Sequence, residues 1–158
     1  MSKVVIIMGS KADLDWANQI SNVLATFEIE SISRIASAHK VPLKCYNLIK
    51  EYEKENVVFI TIAGMSNALS GFTDAQTHCP VIACPPYSDK FGGADLFSSI
   101  RMPSGVAPLT ILSPENAALA AAKILGLSNP DIRCKIAAFQ EKKRNELEEA
   151  DRNLMSGK

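Results

Sequence analysis

Two hydrophobic patterns alternate along the chain, and together they predict its secondary structure. Short continuous runs of apolar, largely β-branched residues predict strands that are buried on both faces. The clearest runs are KVVIIM at residues 3–8 and VVFITIA at residues 57–63. The predicted strands cover residues 3–8, 30–36, 57–63, 80–84 and 109–112.

Apolar residues with helical spacing lie between these runs and predict helices over residues 13–27 and 42–54. A third helix is predicted to begin after the N-cap Ser113 and to end at Gly126, and Pro130 opens a last one. The positions predicted to face the core are Leu14, Ala17, Ile20, Leu24 and Phe27 in the first helix, and Leu43, Tyr46, Ile49 and Tyr52 in the second.

Strands that alternate with helices predict an α/β fold, with a central parallel sheet, right-handed crossovers and helices on both faces. The length predicts one domain over residues 1–158. Residues 84–108 are rich in proline and glycine, and such a long irregular segment is usually functional or part of an interface. The C-terminal helix, about residues 130–154, is mostly charged, so we expect it either to be solvated or to reach a neighbouring subunit.

Composition excludes several classes of protein. Hydrophobic residues make up 47% of the chain, which is too many for a disordered protein. The 17 basic residues are balanced by 17 acidic ones, so we expect neither nucleic acid nor a membrane surface as a partner. The apolar run at the N-terminus is short for a signal peptide and is interpreted as a strand.

The four cysteines show no C-x-x-C spacing of the kind that zinc and redox sites use. We interpret them as small apolar core residues, reduced in a cytoplasmic protein. They are Cys45, Cys79, Cys84 and Cys134.

The loops that follow the predicted strands carry the candidate chemistry, because ligands of open parallel sheets bind beyond the carboxyl ends of the strands. After the first strand, Gly9-Ser10 lets a ligand approach the backbone, but neither a P-loop nor a dinucleotide fingerprint is present. Asp13 has two open interpretations: it stabilises the helix start, or it accepts a hydroxyl of a ribose.

The loop after the second strand contains Ser37, His39 and Lys40. A histidine titrates near neutral pH and can carry a proton either way, so His39 is the candidate acid/base. Lys40 is either a phosphate ligand or an exposed surface lysine. His78 precedes a strand at the opposite edge, and we interpret it as a surface residue.

The loop after the third strand, residues 63–71, is rich in hydrogen-bond donors, among them Ser66, Asn67 and Ser70. Such a loop can hold a carboxylate or a planar amide, although an ordinary capped turn has the same composition. No acidic pair, metal-ligand cluster or Ser-His-Asp order stands out, so neither a metal site nor a hydrolase triad is predicted.

These motifs, taken in order, resemble the carboxylases and mutases of aminoimidazole ribonucleotide (AIR) in purine biosynthesis. The resemblance rests on MGSKAD, SAHK, the loop AGMSNALSG, ACPP and SSIRMPSG, and it covers roughly residues 3–127. It implies a three-layer α/β/α, flavodoxin-like fold assembled as a homo-octamer, with active sites shared between subunits.

The resemblance also implies roles for individual residues. Ser10 and Asp13 would bind the ribose and phosphate side, Ser37 and Lys40 the phosphate, and His39 would be the acid/base. The carboxylate or carbon dioxide end would be lined by Ser66, Asn67 and Ala68. The substrates would be AIR, 4-carboxy-AIR and carbon dioxide, and the chemistry would need no cofactor.

Two classes of this family differ in the source of the carboxyl group. SAHK, the short glycine loop, SSIRMPSG and LSPENAA resemble the class that uses carbon dioxide directly. The alternative is a mutase that moves the carboxylate from N5 to C4 of the nucleotide. One departure from the direct class is Met65, which stands where that class usually has arginine.

A reading from another class of protein is a flavodoxin-like nucleotide-binding or signalling module. A phosphoryl receiver domain needs an aspartate at the end of the third strand, where this chain has Ala63-Gly64. A flavin carrier needs aromatic rings beside its phosphate loop, and only Tyr87 and Phe91 are available. The enzyme is therefore the favoured interpretation.

Overall fold

The computed structural model describes residues 3–157, which form five strands and six α-helices. Two short 3-10 segments, Lys11–Asp13 and Lys90–Leu96, precede the first and fourth helices. The strands are β1 Lys3–Met8, β2 Glu30–Ile35, β3 Val57–Ile62, β4 Val81–Ala83 and β5 Leu109–Thr110. The helices are α1 Leu14–Thr26, α2 Pro42–Tyr52, α3 Ala68–Ala75, α4 Phe97–Ile100, α5 Pro114–Gly126 and α6 Pro130–Met155.

All five strands pair in parallel, in the order β2-β1-β3-β4-β5. At the centre, Ile6 of β1 is in register with Ser33 of β2 and with Ile60 of β3. The chain leaves β1 towards one edge of the sheet and returns to the other side of it at β3. This order is the flavodoxin-like one, and its switch point, where ligands bind, lies between β1 and β3.

Alternate residues of β1 and β3 point into two separate cores. On one face, Val4, Ile6 and Met8 pack beneath α1 and α5. On the other face, Val5 and Ile7 pack with apolar residues of α2 and with Leu69 of α3. The predicted three-layer α/β/α architecture with a central parallel sheet is confirmed.

The side of α2 that faces the sheet differs from the prediction. Its buried residues are Cys45, Leu48, Ile49 and Tyr52, a spacing of three, four and seven, whereas Leu43 is exposed. Prediction of Leu43 and Tyr46 as core residues was therefore wrong. Several apolar positions in this helix allow more than one stripe, and only packing against β3 and α3 selects between them.

Two predictions about loops need correction. The predicted loop 63–71 is shorter, because α3 already begins at Ala68. The segment 84–108 is not wholly irregular, since it contains a 3-10 segment and α4. In that 3-10 segment, Phe91, Gly92 and Gly93 all have positive φ, which breaks the helical periodicity that sequence patterns detect.

The last helix, α6, packs only by its first half. Ile132 and Ile136 are buried, and the Phe139 ring meets Phe27 edge-on with 5.3 Å between centroids. Leu147, further along, is 74% exposed. Leu14, predicted to lie in the core, is also exposed at the start of α1. Among the described residues, no helix has the length and apolar character to cross a membrane.

Candidate active site

A cleft of about 430 Å³ opens at the carboxyl ends of β1, β2 and β3, on the switch point of the sheet. Three loops form its walls, one after each of these strands. The residues predicted from sequence that line it are Ser10, Asp13, Ser37, His39, Lys40 and Ser66. The topology therefore brings together groups that are up to 56 positions apart in the chain.

The first wall is held by a capping box between Ser10 and Asp13. The Ser10 hydroxyl accepts the amide proton of Ala12 at 3.2 Å, and Asp13 Oδ2 accepts the Ser10 amide proton at 3.0 Å. This reciprocal arrangement satisfies backbone donors at the start of the helical segment. The structure agrees with both interpretations of Asp13, as a helix cap and as a ligand of a ribose hydroxyl, because its carboxylate caps the helical segment and also lines the cleft.

The second wall is the tight turn that carries His39 and Lys40. Ser37 organises it: its hydroxyl accepts the Lys40 amide proton at 3.2 Å, and its carbonyl accepts that of Val41 at 2.9 Å. Both His39 and Lys40 are exposed, and helix α2 begins two residues further on. The imidazole and the ammonium group therefore stand beside the positive end of a helix, where anions are favoured.

The third wall comprises Gly64, Met65 and Ser66. Met65 is 68% exposed and has a φ of 58°, a left-handed conformation that costs a non-glycine residue roughly 1–2 kcal/mol. Asn67 and Ala68, predicted to line the carboxylate end, are not among the residues that line the cleft. The Asn67 side chain is buried instead and accepts the Ser70 amide proton at 3.1 Å, as the N-cap of α3.

Comparison with known proteins shows the family of this chain. The family model described as AIR carboxylase matches residues 3–146. The chain belongs to the AIR carboxylase family. It is 64% identical to a phosphoribosylaminoimidazole carboxylase of Archaeoglobus fulgidus over 152 residues, which are 96% of this chain and 84% of that protein.

Further relatives support the same assignment over the whole fold. The crystal structure of Treponema denticola PurE superposes with a TM-score of 0.96 at 45% identity, covering 98% of this chain and 99% of that one. A human bifunctional phosphoribosylaminoimidazole carboxylase/phosphoribosylaminoimidazole succinocarboxamide synthetase is 38% identical over 96% of this chain, which corresponds to only 36% of the human protein. The AIR carboxylase fold is thus shared with longer proteins.

An apolar hollow of about 90 Å³ adjoins the cleft of this AIR carboxylase family member. It shares Ala63 and Gly64 with the cleft, and Pro85, Leu96 and Leu112 are among its other lining residues. No cysteine lines either space. The hollow continues the third wall into a mostly apolar space, whose polar lining residues are Tyr87, Ser88 and Asp95.

Two anchors of the site were not recognised from the sequence. Trp16 Nε1 donates a hydrogen bond of 3.2 Å to the Cys84 carbonyl, which ties α1 to the end of β4. Ser98 and Ser99 of α4 hold the backbone and side chain of Asn67 from behind the third wall. SSIRMPSG contributed to the resemblance, but nothing in the sequence placed its serines against residues some thirty positions earlier.

The ionisable side chains that line the cleft are those of Asp13, His39 and Lys40. Burial raises the pKa of the Cys84 thiol at the end of β4 to about 11, so this thiol is neutral at physiological pH. Within residues 3–157, no group of three or more His, Cys, Asp and Glu side chains is arranged to hold a metal ion. The polar chemistry of the cleft therefore comes from one acid, one imidazole, one ammonium group and several hydroxyls.

Proposed function

We propose that this protein carboxylates AIR at C4 with carbon dioxide, reversibly, to give 4-carboxy-AIR. Membership of the AIR carboxylase family makes it an enzyme of purine biosynthesis. The observation that carries the proposal is the cleft itself, where His39 and Lys40 share one wall and the Gly64–Ser66 loop forms another. The residues that we propose as acid/base and phosphate ligand, and the loop that we propose to hold a small electrophile, thus line one cleft.

The reaction follows from the electronic structure of the substrate. The aminoimidazole is an enamine, so C4 is nucleophilic and can attack the carbon of carbon dioxide without further activation. The new carbon–carbon bond leaves C4 tetrahedral and still protonated, with positive charge on the ring. His39 removes that proton, the C–H electron pair returns to the ring, and aromaticity is restored. In reverse, His39 protonates C4 and carbon dioxide leaves.

Nucleotide binding is assigned to the first and second walls. Lys40 and the Ser37 turn hold the phosphate beside the start of α2, where the helix dipole favours an anion. Ser10 and Asp13 contact the ribose and phosphate side. Because the capping box fixes Asp13 independently of substrate, its carboxylate is already oriented when the nucleotide arrives.

The third wall is assigned to the carboxyl end of the reaction. Ser66 contributes its side chain there, whereas Asn67 and Ala68 contribute through the position of the backbone. The adjoining hollow supports a site for carbon dioxide, because a small apolar molecule gains from a confined and mostly apolar site.

We also propose a homo-octamer in the cytoplasm. Tyr87 and Phe91 are each 87% exposed, and Phe97 is 61% exposed, so the segment 84–108 presents large apolar side chains for burial. The unpacked end of α6 offers Leu147, Leu154 and Met155 for contact with a neighbouring subunit. All four cysteines are free, which suits a reducing compartment.

Two ultraviolet assays on the purified protein test the reaction. One supplies AIR with bicarbonate as a source of carbon dioxide, and the other supplies the N5-carboxylated nucleotide with a trap for AIR formed by its decay. Carboxylation in the first assay alone is the expected result. Turnover in the second alone would replace the direct carboxylase by the mutase, and inactivity in both would reject the proposed function.

A further inference from the structure

Met65 is the residue of the cleft lining that has a positive φ, and it lies on the wall that we assign to the carboxyl group. Its φ of 58° places a long side chain in the left-handed region, which glycine adopts far more readily. Its neighbour in sequence, Ser66, lines the cleft. A conformation of this kind persists only where surrounding contacts hold it.

Ser98 supplies those contacts from outside the cleft. Its Oγ accepts the Asn67 amide proton at 2.9 Å and lies 3.2 Å from the Met65 carbonyl oxygen, so it joins the backbone on both sides of Ser66. The same hydroxyl also lies 2.7 Å from the carbonyl oxygen of Asp95. The Ser98 hydroxyl has one proton and donates it to one of these two carbonyl oxygens at a time. Its oxygen accepts the Asn67 amide proton through a lone pair.

Ser99 extends the connection into the core. It is 1% exposed, and its Oγ accepts a proton from Asn67 Nδ2 at 2.9 Å. Its carbonyl accepts the Thr110 hydroxyl proton at 3.0 Å, which links α4 to β5. The third wall is thereby connected to β5 of the sheet and is not supported by its own loop alone.

We propose that Ser98 is a positioning residue, which holds Met65 in its left-handed conformation and so sets the place of Ser66 at the carboxyl end of the cleft. Ser98 does not line the cleft, so it acts through the backbone of residues 65–67. This inference rests on the proposed function for its effect on turnover. The structural claim, that Ser98 holds the backbone of residues 65–67, does not depend on which reaction the enzyme catalyses.

Ser98→Ala is expected to lower kcat about tenfold or more, since misplacement of a reacting group by about 1 Å can cost on the order of 100-fold in rate. KM for AIR should change by less than about twofold, because the nucleotide is held by the other two walls. Ser104→Ala is the matched control, as Ser104 is an exposed serine of the same segment. A Ser98→Ala enzyme with unchanged kcat would overturn the proposal.

Rescue by glycine distinguishes positioning from general damage. In a Met65→Gly background the left-handed conformation carries no Cβ penalty, so Ser98→Ala should cost much less in kcat than in wild type. In a Met65→Ala background the side chain is also lost but the penalty remains, and the full effect of Ser98→Ala should persist. Equal effects in the two backgrounds would show that Ser98 does not act through the strain at Met65.

Amide hydrogen exchange separates this inference from the proposed reaction. The Asn67 amide should exchange faster in Ser98→Ala than in wild type. In Ser104→Ala its exchange rate should equal that of wild type. If wild type fails to carboxylate AIR but the Asn67 amide responds in this way, the proposed function fails and Ser98 still holds the wall. If the Asn67 amide keeps its wild-type protection in Ser98→Ala, the role of Ser98 is refuted whatever the enzyme catalyses.

Discussion

Ser10 donates both its amide proton and its hydroxyl proton to one oxygen of Asp13, at 3.0 and 3.1 Å. The loop after β1 therefore closes on itself before any ligand is present. A carboxylate fixed in this way needs little reorganisation to accept a hydroxyl group of the nucleotide. The same contact also stabilises the fold. The contributions of Asp13 to stability and to nucleotide binding can be measured separately.

Asp13→Asn should separate the cap from binding. Asparagine keeps an oxygen that accepts the Ser10 amide proton, so the free energy of unfolding should change by less than about 0.5 kcal/mol, whereas Asp13→Ala should lose about 1 kcal/mol. KM for AIR should rise about tenfold in both variants, because a hydrogen bond to a charged acceptor is lost. Denaturant titration and steady-state kinetics give the two numbers. An unchanged KM in both variants would leave Asp13 with its capping role only.

His39→Asn should remove the acid/base while the turn around it is retained. We expect kcat to fall by about 10²–10⁴-fold or more, and the Kd for AIR to stay within about threefold. Single-turnover assays and calorimetric titration measure these quantities. His78→Asn is the control, because His78 is the other histidine and is exposed before β4, away from the cleft. Normal turnover in His39→Asn would contradict the assignment.

Lys40→Met should weaken nucleotide binding through loss of the phosphate contact. Kd for AIR should rise about tenfold or more and should become less sensitive to salt, since one charge pair is lost. Lys44→Met, one turn further on at an exposed position of α2, serves as the control. Equal effects of the two substitutions would mean that only the general positive charge of this surface matters, and not a contact from Lys40.

Gly64→Ala should test whether the apolar hollow holds carbon dioxide. A Cβ at this position would lie 4.0 Å from Pro86 Cδ, an ordinary contact, so the fold should accept it. The added methyl group enters the space between cleft and hollow, and KM for carbon dioxide should rise severalfold while KM for AIR stays constant. Initial rates at varied bicarbonate measure this. A rise in KM for AIR alone would place the methyl group against the nucleotide.

The buried thiols should differ sharply from the exposed one in reactivity. Burial raises the pKa of Cys45 and of Cys84 to about 11, so both are protonated and inaccessible near neutral pH. Cys134 is exposed on α6. Iodoacetamide followed by peptide mass spectrometry should therefore modify Cys134 first in the native protein. Early modification of Cys84 would indicate that the end of β4 opens.

The raised pKa values of Cys45 and Cys84 predict that the free energy of unfolding decreases at high pH. Because the folded-state pKa is raised above the ordinary value of 9.0, the stabilising contribution is complete below about pH 9 and is lost as the pH rises through about 11. Denaturant midpoints across this range should fall, and they should fall less in Cys84→Ala. An identical pH dependence in wild type and variant would exclude Cys84 as a contributor.

Much of the fold follows from local sequence, and β1 has the predicted bounds because both of its faces are apolar. The strand ends are less predictable: β5 forms only Leu109–Thr110 where four residues were expected, since its partner β4 is itself only three residues long. The number of residues that a strand pairs in the sheet depends on the length of the neighbouring strand. A pattern within one segment carries no information about it.

The candidate site was predictable as far as its loops were concerned, because parallel topology places the ends of β1, β2 and β3 together. The direction of individual side chains was not. Asn67 has a side chain suited to ligand binding, but it is buried as a helix cap. Ser98 contacts Asn67 from a segment that follows three consecutive residues with positive φ. Contacts between residues distant in sequence decide such cases.

The two outer strands of the sheet bear on how the protein behaves when it is crowded. β5 offers an edge of only two residues, and β2 carries Glu30 and Arg34, with the Arg34 guanidinium hydrogen-bonded to the Tyr52 hydroxyl at 2.9 Å. Short or charged edges resist backbone pairing with another chain. We therefore expect that crowding does not extend the sheet from one copy to the next through these two edges.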